Sequence, residues 1–336
     1  MLRTPVQCDY PGRGLGPPPP VLTANTDLLS PQQAAAQTPL QPIDWPDFTA
    51  AGLQVFIKRE DLVDAACSGN KYYKLYEHLR LARGQGARQI LSFGGAYSNH
   101  IHALAAMGQR LGLATIGVIR GERPRQLSPT LRDAEAWGMR LDFLSRADYR
   151  EKHTAALQAR LAQRWGEFYC VPEGGGDRLG ALGCRALAVG ILTQVPGGVD
   201  HVCVPCGTGA TLAGIASALP AQVLAHGFAV LKENPGGEDS LEARITAILK
   251  ELGATAARWV LHRDFHGGGY AKFPPDLRAF MAAFETHTGI FLDPVYTAKM
   301  LWGLSRLASL GKFEKRARIV VIHTGGLQGR RGFDLD

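Results

Sequence analysis

The stretch QILSFGGAYSNHIHALAAMGQRLGLATIGVI, residues 89–119, decides the fold class of this 336-residue chain. It begins with an apolar run at 89–93, continues with an amphipathic stretch at 98–111 and ends with a second apolar run at 114–119. Two short apolar runs separated by a helical period are typical of parallel strands joined by a crossover helix. The stretch therefore predicts a βαβ unit, with a Gly-Gly turn between its first strand and its helix.

The same alternation of strands and helices continues on the C-terminal side of this unit. Helices are expected at 129–137, about 150–165, 180–193, 211–219, 241–252, 275–286 and 296–310, and strands at 140–144, 199–204, 225–229 and 319–323. This pattern predicts an α/β protein with open, twisted, mainly parallel sheets flanked by helices.

The length of the chain predicts two domains, because one hydrophobic core rarely organises 336 residues. We expect a small domain at 75–170, inserted into a large domain built from 39–74 and 171–336. Residues 1–38 contain four consecutive prolines and lack sustained periodicity, so we expect a disordered or poorly ordered extension. A targeting peptide and a start codon placed too far upstream are alternative interpretations of this segment.

The composition limits the classes of partner. The formal net charge is +7, but basic residues alternate with acidic ones, so nucleic-acid binding is not expected. No apolar run reaches the roughly 18 residues of a membrane span, so no membrane role is expected. Six cysteines without an apolar signal segment indicate a reducing, cytoplasmic environment. The single C-x-x-C, Cys203 and Cys206, lacks the second pair of a zinc site, so no metal is predicted.

A lysine follows a turn-forming tripeptide in Ser-Gly-Asn-Lys, residues 68–71. The sharp backbone bend that glycine permits suits a lysine that must reach a cofactor at a domain junction. Taken alone, such a lysine is more often a solvated surface charge. The interpretation of Lys71 therefore depends on the segments that accompany it.

Two further segments lie where an apolar strand is followed by a helix. In GGAYSNH, residues 94–100, Ser98 and Asn99 fall at the helix start, where a hydroxyl caps the helix and free N–H groups receive an anion. In VPCGTGAT, residues 204–211, glycines let the backbone close around a phosphate and two threonines add hydroxyl donors. The alternatives are an ordinary N-cap and a dinucleotide-binding turn, although 204–211 lacks the G-x-G-x-x-G spacing and the Walker sequence.

Together and in this order, the three segments resemble the fold-type II pyridoxal-phosphate (PLP) enzymes, which share the fold of the tryptophan synthase β chain. The resemblance is greatest to the branch that contains D-cysteine desulfhydrase and 1-aminocyclopropane-1-carboxylate (ACC) deaminase. Further matching segments are PEGGG at 172–176, LGALG at 179–183, DPVYTAK at 293–299 and HTGG at 323–326. The resemblance covers about residues 39–326 and implies a two-domain lyase whose large domain binds PLP.

The resemblance also implies roles for individual residues. Lys71 would hold PLP as a Schiff base and act as the base at the substrate Cα. Ser98 would bind the substrate carboxylate or relay a proton, while Tyr270 and Tyr296 would face the substrate as further catalytic residues. The residues expected to bind the cofactor are Lys71, Asn70, Asn99 beside the 3′ oxygen, Gly207, Thr208, Gly209, Ala210 and Thr211 around the phosphate, and Thr297 and Thr324.

Position 297 separates the reactions of this branch. ACC deaminases resemble one another in a Tyr-Glu pair, whose glutamate keeps the pyridine nitrogen protonated, where this chain has Tyr296 and Thr297. A threonine tolerates a neutral pyridine, which suffices when a good leaving group departs from Cβ. His100, where the deaminases carry Gln, agrees with this interpretation. We therefore expect β-elimination, with D-cysteine giving pyruvate, ammonia and hydrogen sulfide.

One departure from the branch concerns Tyr97, which replaces the usual Gln and is expected to add a third phenol near the substrate. The alternatives to β-elimination are ACC deamination and amino-acid racemisation on the same fold, and a metabolite-binding protein without turnover. The expected partners are a small amino-acid substrate and a second copy of the chain in a homodimer.

Overall fold

The computed structural model of the protein describes residues 28–232, 236–237, 239–333 and 335. Within these residues it contains ten β-strands and twelve α-helices. The strands are β1 (Leu40–Ile43), β2 (Gln54–Lys58), β3 (Gln89–Gly94), β4 (Ala114–Arg120), β5 (Arg140–Leu144), β6 (Tyr169–Val171), β7 (His201–Cys206), β8 (Leu224–Ala229), β9 (Trp259–His262) and β10 (Arg318–Ile322). The helices are α1 (Pro31–Gln37), α2 (Pro46–Ala50), α3 (Asn70–Gly84), α4 (Asn99–Leu111), α5 (Pro129–Ala136), α6 (Arg146–Arg150), α7 (Ala155–Trp165), α8 (Arg178–Gln194), α9 (Ala210–Ala216), α10 (Leu241–Glu251), α11 (Pro275–Thr288) and α12 (Thr297–Ser309). Short 3-10 turns lie at Glu60–Leu62, Glu173–Gly175 and Leu327–Gly332.

The strands form two open sheets. One has six strands in the order β1-β2-β10-β7-β8-β9, and the other has four in the order β5-β4-β3-β6. Neighbouring strands pair parallel throughout, apart from the antiparallel pair of β1 and β2. Helices cover the sheets, because strands buried on both faces need apolar partners on each side. The predicted α/β class with open, mainly parallel sheets is confirmed.

The two sheets draw on different parts of the chain. The four-stranded sheet takes its strands from residues 89–171, and the six-stranded sheet takes its strands from 40–58 and 201–322. Strand β6 crosses the expected boundary at residue 170 by one residue. The division into a small domain at 75–170 and a large domain at 39–74 and 171–336 stays a prediction.

The expectation of a poorly ordered extension over residues 1–38 is wrong for its last part, where α1 forms. The side chain of Ser30 accepts a hydrogen bond from the Gln33 backbone, and the Gln33 side chain accepts one from the Ser30 backbone. This capping box stabilises the helix start. Residues 1–27 lie outside the described residues.

A buried lysine also holds α1 against the six-stranded sheet. Lys58 is fully buried, and its Nζ donates to the carbonyl oxygens of Ala35 and Thr38, each at 2.6 Å, and to Oε1 of Gln194 at 2.8 Å. Glu60 lies 3.6 Å from the same nitrogen. A buried ammonium group needs such partners. Lys58 therefore holds the C-terminal end of α1 against the sheet, where a solvated loop was expected.

Helix α8 fixes the relative position of α3 and α9, the two helices that begin at the candidate site. Glycine permits both close approaches. A Cβ atom on Gly183 would overlap the carbonyl oxygen of Tyr73 in α3, and one on Gly214 of α9 would overlap that of Ala181 in α8. The LGALG segment therefore serves packing between backbones.

Most expected elements agree with the structure to within a few residues, but the helix expected at about 150–165 is wrong. The chain instead forms α6, a short break and then α7. The break occurs because the side chain of Thr154 accepts a hydrogen bond from the Leu157 backbone and begins a new helix there.

Two observations concern membranes and metals. Among the helices that the structure describes, none combines the length and the apolar character that crossing a bilayer requires. The described residues also contain no cluster of three or more His, Cys, Asp or Glu side chains able to hold a metal ion. Cys203 and Cys206 are buried on β7.

Candidate active site

A cavity of about 450 Å³ opens at the carboxyl ends of strands from both sheets, where ligands of open parallel sheets bind. It is lined by residues that end or follow β3, β4, β6, β7 and β8. Ten of the residues expected from the sequence line it: Asn70, Lys71, Ser98, Asn99, Gly207, Thr208, Gly209, Thr211, Tyr270 and Tyr296.

Three expected cofactor residues are not among the described residues that line this cavity, and each adjoins one that is. Ala210 follows Gly209 and is fully buried, as is Thr297 behind Tyr296. Thr324 is 7% exposed, and its carbonyl oxygen accepts a hydrogen bond at 3.3 Å from the backbone N–H of Asn70, which lines the cavity.

Lys71 is the second residue of α3 and reaches the cavity because of the turn before it. Gly69 has a φ of 73°, and a Cβ atom there would overlap the carbonyl oxygen of Thr324, so only glycine fits. Lys71 Nζ lies 3.3 Å from Oδ1 of Asn70. Burial, followed by the charge of nearby Lys74, lowers the pKa of Lys71 to about 7. A substantial share of this amine is therefore unprotonated near neutral pH.

The Gly-Gly turn after β3 brings Ser98 and Asn99 to the cavity. Ser98 is the N-cap of α4, where its Oγ accepts a hydrogen bond from the Ile101 backbone at 3.3 Å. The Asn99 side chain accepts a hydrogen bond from Gln328, which follows β10. Asn99 and His100, the first two residues of α4, both line the cavity, so the start of this helix can receive an anion.

The turn at residues 207–211, which we call the phosphate turn, carries hydroxyl groups tied to α3. Thr211 Oγ1 accepts a hydrogen bond from Nδ2 of Asn70 at 2.9 Å. Lys74, one turn after Lys71, donates to Oγ1 of Thr208 at 3.0 Å and to the carbonyl oxygen of Gly174 at 2.9 Å. A cation, hydroxyls and turn N–H groups together form the donor set that a phosphate needs.

The two tyrosines line the side of the cavity nearest α12. Tyr296 immediately precedes α12, and burial raises the pKa of its phenol well above the usual value, so it stays protonated at neutral pH. Tyr270 follows a Gly-Gly-Gly turn and is 42% exposed at the rim. Tyr97 is not among the described residues that line the cavity, and its ring lies at Gly332, so a third phenol near the substrate stays a prediction.

His100 lies in the cavity wall as a neutral imidazole. Its Nε2 lies 2.8 Å from Oγ of Ser92, and the Ser92 hydroxyl donates its hydrogen to the carbonyl of Val171, so Nε2 carries the ring proton. Burial lowers the pKa of His100 well below its usual value. Its Nδ1 is therefore an acceptor, and it has no partner among the described residues.

Sequence reasoning missed several polar residues of the cavity: Lys74, Arg120, Lys152, Glu173 and Arg244. The signal for Lys74 was its position one helical turn after Lys71. Arg120 ends a parallel strand, which is the edge where ligands bind. Glu173 lies in the PEGGG segment, whose match to the family was the available signal. Lys152 lies in a loop and Arg244 on α10, and no local pattern relates either of them to the site.

Lys299 was also missed as a site residue, although it lies in the DPVYTAK segment. It is fully buried on α12, and its Nζ donates to the carbonyl oxygens of Gly269 at 2.7 Å and Val230 at 3.3 Å. Tyr270 and Leu231, which follow these two carbonyls in the chain, both line the cavity. Lys299 therefore ties two lining segments to the helix that begins after Tyr296.

Comparison with known proteins agrees with this geometry. Residues 31–325 match the model of a protein family described as pyridoxal-phosphate dependent enzyme. The bifunctional mitochondrial D-cysteine desulfhydrase/1-aminocyclopropane-1-carboxylate deaminase of Arabidopsis thaliana is 30% identical over 298 residues, covering 83% of this chain and 73% of that protein. A Pyrococcus horikoshii protein, provisionally named a 1-aminocyclopropane-1-carboxylate deaminase, is 30% identical over 283 residues, covering 83% of this chain and 86% of that protein.

A solved structure is also similar. The crystal structure of an ACC deaminase homologue superimposes with a TM-score of 0.74 at 30% sequence identity, covering 87% of this chain and 90% of that chain. The fold-type II resemblance seen in the sequence is thereby confirmed.

Proposed function

Because the chain belongs to the family of pyridoxal-phosphate dependent enzymes, we propose that it is a lyase that catalyses β-elimination from a small amino acid. D-cysteine is the first candidate substrate, with pyruvate, ammonia and hydrogen sulfide as products. The observation that carries the proposal is one cavity lined by the partly buried Lys71, the Ser98 turn and the phosphate turn.

The residues of the cavity fit the cofactor. The phosphate turn and Lys74 supply hydrogen-bond donors for a phosphate. Thr297 Oγ1 is buried and has no hydrogen-bond partner among the described residues, which is rare for a buried hydroxyl. An acceptor nitrogen on a bound ring would satisfy it. When bound, PLP supplies an electron sink that makes the substrate Cα proton acidic.

The chain's own residues would move and hold the proton. Lys71 would hold the cofactor and, once substrate is bound, take the Cα proton on Nζ, since its lowered pKa keeps unprotonated amine available. Ser98 and the first N–H groups of α4 would hold the substrate carboxylate. Tyr296, kept protonated, would donate a hydrogen bond to the substrate, and Tyr270 would cover it from the rim.

A second candidate reaction is ring opening of ACC, which is favoured by the names of the Arabidopsis and Pyrococcus relatives. Thr297 supports elimination instead, because a hydroxyl beside the pyridine leaves the ring a weaker electron sink than a carboxylate does. A thiolate leaving group needs less help from the ring than an unactivated cyclopropane.

A panel of amino acids tests the proposal. Purified protein with PLP should absorb as a yellow enzyme, lose that band with borohydride, and release pyruvate and sulfide in equal amounts from D-cysteine. Formation of 2-oxobutanoate from ACC without sulfide from either cysteine enantiomer would support the second candidate. Racemisation without release of a keto acid would contradict both.

Two further features stay predictions. We propose a homodimer in the cytoplasm, as the sequence suggested. Light scattering of the purified protein and fractionation of cells test these two expectations.

A further inference from the structure

The charged side chains of the cavity differ in how they are held by neighbouring residues. The cavity is lined by five cationic side chains and one carboxylate: Lys71, Lys74, Arg120, Lys152, Arg244 and Glu173. Lys74 donates to the phosphate turn, and Lys152 lies 3.4 Å from Glu173. Arg120 forms no ion pair with any residue that the structure describes.

Arg120 lies beside the part of the cavity where the substrate would bind. It ends β4, and its Nη2 is 3.6 Å from the point where a Cβ atom on Gly95 would stand. Gly95 lies three residues before Ser98, in the turn that leads to the start of α4. The guanidinium is therefore near the expected substrate carboxylate and belongs to the wall formed by the four-stranded sheet.

Arg120 and Lys152 both lie against one buried aromatic ring. The Tyr149 ring centroid lies 5.9 Å from Cζ of Arg120 and 5.3 Å from Nζ of Lys152. Tyr149 is 3% exposed, so its ring is a fixed platform. We call Arg120, Tyr149, Lys152 and Glu173 the basic corner; its formal charge is +1, and it adjoins the cavity.

We propose that the basic corner recognises an anionic group on the substrate Cβ, so that the substrate range extends beyond cysteine to amino acids that carry a sulfonate or a phosphate ester there. This inference rests on the proposed β-elimination, with the Ser98 turn holding the α-carboxylate. A planar guanidinium donates two parallel hydrogen bonds to sulfonate or phosphate oxygens, which a neutral thiol cannot accept equally well.

The elimination balances for either substituent. The Cα–H and Cβ–S bonds of cysteate break, sulfite leaves with the electron pair, and addition of one water gives pyruvate and ammonia. With O-phosphoserine the Cβ–O bond breaks, inorganic phosphate leaves, and the same water yields the same two products. No oxidant or reductant is needed in either case.

Steady-state kinetics of the holoenzyme separate anion recognition from general catalysis. We expect kcat/KM for cysteate or O-phosphoserine to exceed that for neutral β-chloroalanine of the same configuration. Arg120→Gln should lower kcat/KM for the anionic substrate about tenfold or more, as loss of a charged hydrogen bond does, and change that for β-chloroalanine less than twofold. Lys152→Gln should act in the same direction with a smaller factor.

Arg123→Gln is the matched control. Arg123 lies three residues further along, is exposed and pairs with Glu135 at 3.1 Å. The Arg123→Gln variant should leave kcat/KM unchanged for both the anionic substrate and β-chloroalanine. An equal loss for charged and neutral substrates in Arg120→Gln would assign Arg120 to the α-carboxylate and overturn the proposal, and so would no loss at all.

Binding measured by calorimetry tests anion recognition independently of the proposed β-elimination. The probes are 3-sulfopropanoate, which carries two anionic ends, and butanoate, which carries one. We expect Arg120→Gln to weaken binding of 3-sulfopropanoate about tenfold and binding of butanoate less than twofold. This result would support the basic corner even if no amino acid were eliminated, whereas equal binding of both probes by the wild-type enzyme would overturn it.

Discussion

The phosphate turn and the basic corner line the same cavity but are built in opposite ways. The phosphate turn is one continuous segment whose hydroxyls are tied to α3 by Asn70 and Lys74. The basic corner draws one residue each from β4, α6, the loop after α6 and the 3-10 turn after β6. A group common to the whole family can be held by a contiguous motif, whereas substrate choice is set by side chains that converge from separate elements.

The largest expected effect comes from replacing Lys71, which lies outside both regions and would act on every substrate. Lys71→Ala should lower the turnover of every substrate by roughly 10²–10⁴-fold, because the base at Cα is lost. The absorption band of the bound cofactor that borohydride abolishes should disappear as well. Lys315→Ala, at an exposed lysine, is the control. Retention of the band in Lys71→Ala would remove the basis of the proposed function.

A change in the phosphate turn should affect the cofactor and spare substrate choice. Lys74→Met leaves Thr208 and the Gly174 carbonyl without their donor, so the PLP dissociation constant should rise about tenfold. The ratio of kcat/KM between anionic and neutral substrates should stay constant at saturating PLP. Fluorescence titration with PLP measures the first quantity. A changed substrate ratio would mean that the two regions are not separable.

Substitution of Lys299 tests a third region, the wall of the cavity that carries Tyr270 and Tyr296. The question is whether the buried Lys299 side chain holds this wall in place. Lys299→Met should lower kcat about fivefold at unchanged PLP affinity, since the carbonyls of Gly269 and Val230 lose their donor and the segment that carries Tyr270 shifts. Lys299→Arg should recover part of the loss. Lys312→Met, at an exposed lysine, should change nothing. If the affinity for PLP fell together with kcat, Lys299 would support the stability of the whole protein and not this wall alone.

The last expected effect concerns stability and not catalysis: a pH dependence of unfolding in the cofactor-free protein. The pKa of Lys71 is about 7 in the folded chain and near 10.5 when unfolded, so the unfolded state binds more protons between these values. Stability should therefore rise with pH from about 7 to about 10.5, by at most ~1.4 kcal/mol per pH unit from this group. Urea unfolding across this range should show a smaller slope for Lys71→Met. Equal slopes would contradict the burial of this amine.

The sequence predictions are accurate where the stabilising contacts join residues close together in the chain, and they fail where the contacts join distant residues. The strand and helix at the opening segment are fixed by apolar periodicity within some thirty residues, and they agree with the structure closely. Helix α1 was missed because its stability comes partly from Lys58, which lies more than twenty residues away in the sequence. The contact of the Tyr97 ring was not predictable for a similar reason, since the ring packs at Gly332, in the C-terminal 3-10 turn far along the chain.

The sequence by itself determined the α/β class, the order of most elements after residue 89 and the segments around Lys71, Ser98 and the phosphate turn. These properties depend on local periodicity and on turns that only certain residues can form. Only the tertiary structure decided that Arg120, Lys152 and Glu173 share one corner and that Lys299 supports Tyr270. Pairing of distant strands and helices creates these contacts, and no pattern along the chain encodes the distance between residues so far apart.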